Sequence, residues 1–136
     1  MAKDYALIDP IKNFAKTKPV WGTCAGLILI AREVIGGQDS LNLIDIVVER
    51  NAFGRQSDSF IADLNIHAIN DPDRKFPAVF IRAPIIESVG AEVEVIASLP
   101  EGQIVAAREA NILVSSFHPE LTKDTRMHQY FIDFVK

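Results

Sequence analysis

Two hydrophobic periods divide this chain. Over residues 2–16, Tyr5, Ile8, Ile11, Phe14 and Ala15 recur at helical spacing, and Pro10 inside the run predicts a break or the first turn of a second helical piece. Lys18 to Thr23 reads as a short strand, and Ala25 to Ile35 as a helix ended by Gly36-Gly37. Cys24 therefore falls at a strand-to-helix junction. Beyond it the period shortens: Ile44 to Glu49, Ser59 to His67, Ala78 to Arg82, Val93 to Ser98, Ile104 to Arg108 and Ile112 to Phe117 are β-rich runs separated by Pro, Gly, Asn or Asp. An amphipathic helix from about Asp124 to Val135 closes the chain, with Met127, Tyr130, Phe131 and Phe134 on one stripe suited to core packing.

No internal repeat, low-complexity tract or long linker interrupts the pattern, so residues 1–136 are expected to form a single domain. Helices are few for a doubly wound sheet, which needs them on both faces. That shortage predicts a further element ahead of Met1.

Composition narrows the class. A chain of 136 residues that is 49% hydrophobic and 24% charged has the balance of a globular domain. Its formal charge of −4 leaves no phosphate-seeking basic surface, so nucleic acid is not an expected partner. One cysteine cannot form an intramolecular disulfide, which fits a reducing, cytoplasmic location. The longest apolar stretch, Ala25 to Ala31, is far short of the roughly 20 residues of a membrane span, and the polar first 20 residues do not read as a signal peptide. No membrane partner is expected.

The candidate chemistry begins at Gly22-Thr23-Cys24-Ala25-Gly26, which has the G-x-nucleophile-x-G form of a nucleophile elbow. Flanking glycines permit the tight turn that exposes the central side chain. A thiol at a helix amino end is expected to be biased toward thiolate, and the N–H of Ala25 would face the oxyanion formed after attack. The alternative is a buried, inert cysteine between small residues.

Ser116-Phe117-His118-Pro119-Glu120 follows the apolar Ile112-Leu113-Val114 run, so His118 sits at a strand end, where sheet-based active sites collect. His118 would take the thiol proton and later protonate leaving ammonia, with Glu120 fixing its tautomer. The alternative for a histidine in this setting is a hydrogen-bonded surface residue. His67 and His128 lack an acidic neighbour at that spacing and read as surface residues. No metal-ligand spacing and no phosphate-cradling loop is present, so neither metal nor cofactor is implied.

Trp21 to Ile30, Val47 to Gln56 (Val-Val-Glu-Arg-Asn-Ala-Phe-Gly-Arg-Gln), Phe80-Ile81-Arg82-Ala83-Pro84 and Ser115 to Leu121 together resemble the glutaminase subunit of pyridoxal phosphate synthase, a class I, triad-type glutamine amidotransferase. The resemblance runs over nearly the whole chain. It implies an α/β, flavodoxin-like three-layer fold with a mixed central sheet. It also implies hydrolysis of L-glutamine to glutamate and ammonia, with the ammonia channelled to a barrel-shaped synthase subunit in a hetero-oligomeric complex for vitamin B6 biosynthesis. Carried over by motif, Cys24, His118 and Glu120 form the triad, and Arg50, Ile81 and Arg82 contact glutamine. A guanidinium suits the substrate's carboxylate, and a backbone group of Ile81 could hold its polar end; the alternative for both arginines is a solvated strand end.

The resemblance departs at the front. Family members begin with a strand and a helix followed by a Pro-Gly-Gly-Glu-Ser loop that supplies a second oxyanion donor, and none of it is found here, so the chain reads as N-terminally incomplete. Loss of one such donor typically costs about 100- to 1,000-fold in rate. Two rival readings follow: a catalytically silent chain that at most binds the synthase, and a glutaminase serving a different synthase.

Overall fold

The computed structural model describes residues 13–37, 39–50 and 59–134. The helical run over residues 2–12 with its break at Pro10, motif residues 51–56 and Val135 lie outside these.

Residues 13–17 are helical (α1). Then follow β1 (Val20–Thr23), α2 (Ala25–Ile30), β2 (Ala31–Val34), β3 (Ile44–Glu49), β4 (Ser59–Leu64), β5 (Phe76–Ile81), β6 (Ile85–Val89), β7 (Glu94–Ser98), β8 (Ile104–Glu109), β9 (Ile112–Ser115), a 3-10 turn (Pro119–Leu121) and α3 (Arg126–Phe134). Seven strands form one sheet in the order β1-β9-β8-β6-β3-β2, with β7 also pairing β8, while β4 and β5 make a separate antiparallel hairpin. The sheet is mixed: β1 with β9 and β2 with β3 are parallel, and β8 runs antiparallel to β9.

All of β9 is buried, which explains its unbroken apolar Ile-Leu-Val run. Its residues alternate between two cores. Ile112 and Val114 join Leu27, Ile30, Ile44 and Ile46, whereas Leu113 joins Phe76, Phe80, Phe117 and Met127. Helix α2 thus covers one face of the sheet, and the β4–β5 hairpin with α3 the other. This is the expected α/β, flavodoxin-like arrangement with a mixed central sheet. The stripe on α3 packs as read: Met127 is fully buried, and Tyr130, Phe131 and Phe134 lie against the same core.

The helix expected from Ala25 to Ile35 stops at Ile30. Residues 41–43 return against its end, where the amides of Leu41, Leu43 and Asn42 donate to the carbonyls of Leu29, Ile30 and Ala31. Ala31 is extended, and β2 instead adds to β3 in the register Ala31↔Ile44 and Val34↔Val48. A non-local ladder has overridden a local helical pattern. Gly36 and Gly37, with φ of 100° and 86°, turn the chain after a strand rather than cap a helix. β6 was not evident in the sequence because only Ile86 of its residues is fully buried, leaving no alternation to read.

Candidate active site

Parallel pairing of β1 with β9 places the carboxyl ends of both strands on one edge, in the register Thr23↔Ser115. The amide of Cys24 donates to the Ser115 carbonyl at 2.9 Å, extending that ladder by one residue before the chain turns into α2. Cys24 itself has φ 50° and ψ −104°. A non-glycine residue held in such a conformation is strained, as expected of an exposed-nucleophile turn. Of the two glycines, only Gly22 is required by packing: a Cβ there would lie 2.8 Å from the Gly26 carbonyl oxygen, whereas one on Gly26 would meet nothing within 4 Å. Gly22 lets β1 and α2 close on each other; Gly26 has room for a side chain.

On the other strand, Ser116 donates its amide to the Val105 carbonyl, and the amide of His118 donates to the Val79 carbonyl on β5, each at 2.8 Å. That second bond pins the histidine segment to the hairpin. His118 opens the Pro119–Leu121 turn, which brings Glu120 back beneath the ring, with Nδ1 to Oε2 at 2.9 Å. Burial opposes the Glu120 charge, but hydrogen bonds from His118 and from its own backbone, with the charges of His118 and His128, hold the carboxyl below its usual range.

β5 supplies the third side of the site. The Cys24 thiol donates to the Ile81 carbonyl, Sγ to O 3.7 Å. Burial pushes this thiol up from its ordinary pKa, the Ala25 N–H pulls it down by less, and the Glu120 carboxylate adds to the rise. The expected bias toward thiolate is therefore reversed: the Ala25 N–H at the start of the six-residue α2 does not offset desolvation.

Cys24, Ala25, Ile81, His118 and Glu120 thus gather where β1, β5 and β9 end. Arg82 is exposed immediately after β5 with φ 45°, next to the carbonyl that holds the thiol. Arg50 is exposed in the turn after β3, which β9, β8 and β6 separate from β1 in the sheet. His67 is exposed, as read. His128 is not a free surface residue: its ring stands edge-on to Trp21 at 5.3 Å and 65°, and its Nδ1 is buried without a partner. Trp21 in turn donates from Nε1 to Ser115 Oγ at 3.1 Å, tying α3 to the strand that leads to His118. These supports come from residues more than 90 positions apart, a separation that sequence spacing does not encode.

Among the described residues, no group of three or more His, Cys, Asp or Glu is arranged to hold a metal ion, and no helix is long and apolar enough to cross a membrane.

Comparison with known proteins gives a consistent result. The model of the SNO glutamine amidotransferase family matches residues 1–136. The chain is 53% identical over 136 residues to the pyridoxal 5'-phosphate synthase subunit PdxT of Dehalococcoides mccartyi, covering 97% of this chain and 69% of that protein. It is 54% identical over 134 residues to the PdxT of a Geobacillus species, covering 97% and 68%. A crystal structure described as that of a glutamine amidotransferase superposes with a TM-score of 0.88 at 40% identity, over 98% of this chain and 70% of that one. With the family model matched over all 136 residues, half-identical relatives and a solved structure of the same fold, this chain belongs to the SNO glutamine amidotransferase family.

Proposed function

We propose that Cys24, His118 and Glu120 carry out the glutaminase reaction of a pyridoxal 5'-phosphate synthase, releasing ammonia to a synthase partner. The chain is the glutaminase subunit of that enzyme and serves vitamin B6 biosynthesis. The observation that supports these residue roles best is the shared edge: parallel pairing at Thr23↔Ser115 aligns the elbow with the segment carrying the His118–Glu120 pair at 2.9 Å.

In this mechanism His118 accepts the Cys24 proton as the sulfur forms a bond to the amide carbon of L-glutamine. The resulting oxyanion takes a hydrogen bond from the Ala25 N–H, which faces the Cys24 sulfur. Collapse breaks the carbon–nitrogen bond, with the proton on His118 passing to the leaving ammonia. Water, deprotonated by the same imidazole, hydrolyses the glutamyl thioester and frees glutamate. Glu120 keeps the proton of neutral His118 on Nδ1, so Nε2 is the nitrogen that takes the thiol proton, and it stabilises the imidazolium that forms. Arg82, exposed beside the Ile81 carbonyl that holds the thiol, binds the substrate's α-carboxylate, the Ile81 backbone orients its polar end, and Arg50, by its motif, also contacts glutamine. The partner is the ammonia-accepting synthase subunit, the complex is hetero-oligomeric, and the location is cytoplasmic.

Glutamate release measured with and without the synthase partner tests this reading. Turnover is expected only when both are present, and Cys24→Ala is expected to abolish it. Undiminished turnover in that variant overturns the assignment.

A further inference from the structure

Arg126, the first residue of α3, is charged yet only 7% exposed, and all three of its guanidinium nitrogens are engaged. Nη1 donates to the carbonyls of Asn70, Asp71 and Arg74 at 3.1, 2.8 and 2.7 Å, and Nη2 to that of Lys75 at 2.9 Å. Nε and Nη2 also clasp the Asp124 carboxylate, with the shortest contact at 2.7 Å. Only a planar fork of donors can serve a carboxylate and four carbonyls at once; a lysine could not.

The two chain segments joined here are those that end at the active site. Lys75 immediately precedes β5, which runs up to Val79 and Ile81. Val79 holds the amide of His118 at 2.8 Å, and the turn below it is fixed by Leu121 N–H to His118 O and Thr122 N–H to Pro119 O. Thr122 Oγ1 then accepts the amide of Asp124 at 3.3 Å, and Asp124 returns to Arg126. The result is a closed circuit of backbone and hydrogen bonds from Arg126 along β5 to His118 and back. Its interior is filled by aromatic rings, with Phe117 5.7 Å from both Phe76 and Phe80. Packing of this density passes a displacement at the foot on to the tip.

We propose that Arg126 is a positioning residue for the reaction. With Asp124 it locks the foot of β5 to the segment descending from Glu120, and so sets the spacing between the Ile81 carbonyl, the Cys24 thiol and the His118 imidazole. The inference rests on the roles given above to Cys24 and His118.

The test uses Arg126→Lys and Asp124→Asn in the full chain with its synthase partner, below the temperature at which either variant unfolds. Asp124→Asn keeps the four carbonyl bonds and is the milder change should Arg126→Lys fail to fold. A misplacement of about 1 Å is expected to lower kcat about 10- to 100-fold with the glutamine KM within about threefold. Amide exchange at His118 should accelerate far more than at Gly90, whose N–H donates to the Asp45 carbonyl in a remote part of the sheet. Variants that lose melting temperature but keep kcat within about twofold, with His118 and Gly90 exchanging in step, overturn the proposal. Should wild-type turnover prove independent of Cys24, the glutaminase reading fails by itself, and the exchange comparison alone then decides the positioning role.

Discussion

Cys24 carries opposed influences. Burial and the Glu120 carboxylate favour the neutral thiol, while the Ala25 N–H favours thiolate and loses. In the proposed mechanism, the residue that orients the base therefore also holds back the nucleophile. Glu120→Gln separates the two roles. Removing the negative charge should move the pH profile of Cys24 alkylation by a small neutral reagent to lower pH, because the thiolate is no longer repelled. The same change should lower glutamine turnover about 100-fold or more, because His118 loses the partner that fixes its tautomer and stabilises its charged form. Alkylation rates across pH and steady-state kinetics on one variant check both signs. A profile displaced to higher pH would mean that Glu120 does not act on the thiol through its charge.

At the scale of elements, the junction between β1 and α2 depends on one contact between backbones. A methyl group at position 22 would meet the Gly26 carbonyl oxygen at 2.8 Å, and neither partner is a side chain that can swing away. Gly22→Ala is expected to cost about 1–3 kcal/mol, and Gly26→Ala, with open space around its Cβ, to be neutral or to gain up to about 1 kcal/mol of helix propensity. Denaturant melts of the two variants test the contrast, and equal losses would contradict it. The elbow, β1 and β9 could be read from sequence because their signals are local: glycines bracketing a cysteine, and an apolar run long enough to be buried on both faces. The true end of α2 could not. Leu29, Ile30 and Ala31 surrender their carbonyls to residues 41–43, and β2 exists because β3 offers a ladder, so both depend on chain far from Ile30. The same reason hid His128. Its helical spacing gave no sign of Trp21, more than 100 residues away and 5.3 Å from its ring.

Across the whole molecule, two cores on opposite faces of one sheet are held in register by β9, and the candidate active site lies at the rim where the second core, the hairpin and α3 meet. Folding at that rim requires burial of the Asp124–Arg126 pair, each side chain only 7% exposed. Hydrogen bonding to Arg126 holds the Asp124 carboxyl below its ordinary range, and that imposes a pH dependence on stability. The folded pKa is lower than the unfolded value of about 3.9, so the stabilisation is complete above the unfolded value and is lost as pH falls through the folded one. Glu120, also depressed, contributes with the same sign, although its half-exposed carboxylate makes that share small. Asp124→Asn keeps an oxygen acceptor and the four carbonyls for Arg126 but removes the counter-charge, which costs about 1.5–3 kcal/mol for a hydrogen bond to a charged group. At neutral pH the variant should therefore unfold at lower denaturant than the parent while remaining folded in water. Below the folded pKa, where Asp124 is protonated in the parent as well, the two unfolding curves should converge. A gap that persists undiminished into acid would mean that the pair stabilises through hydrogen-bond geometry alone, with no contribution from the carboxylate's charge.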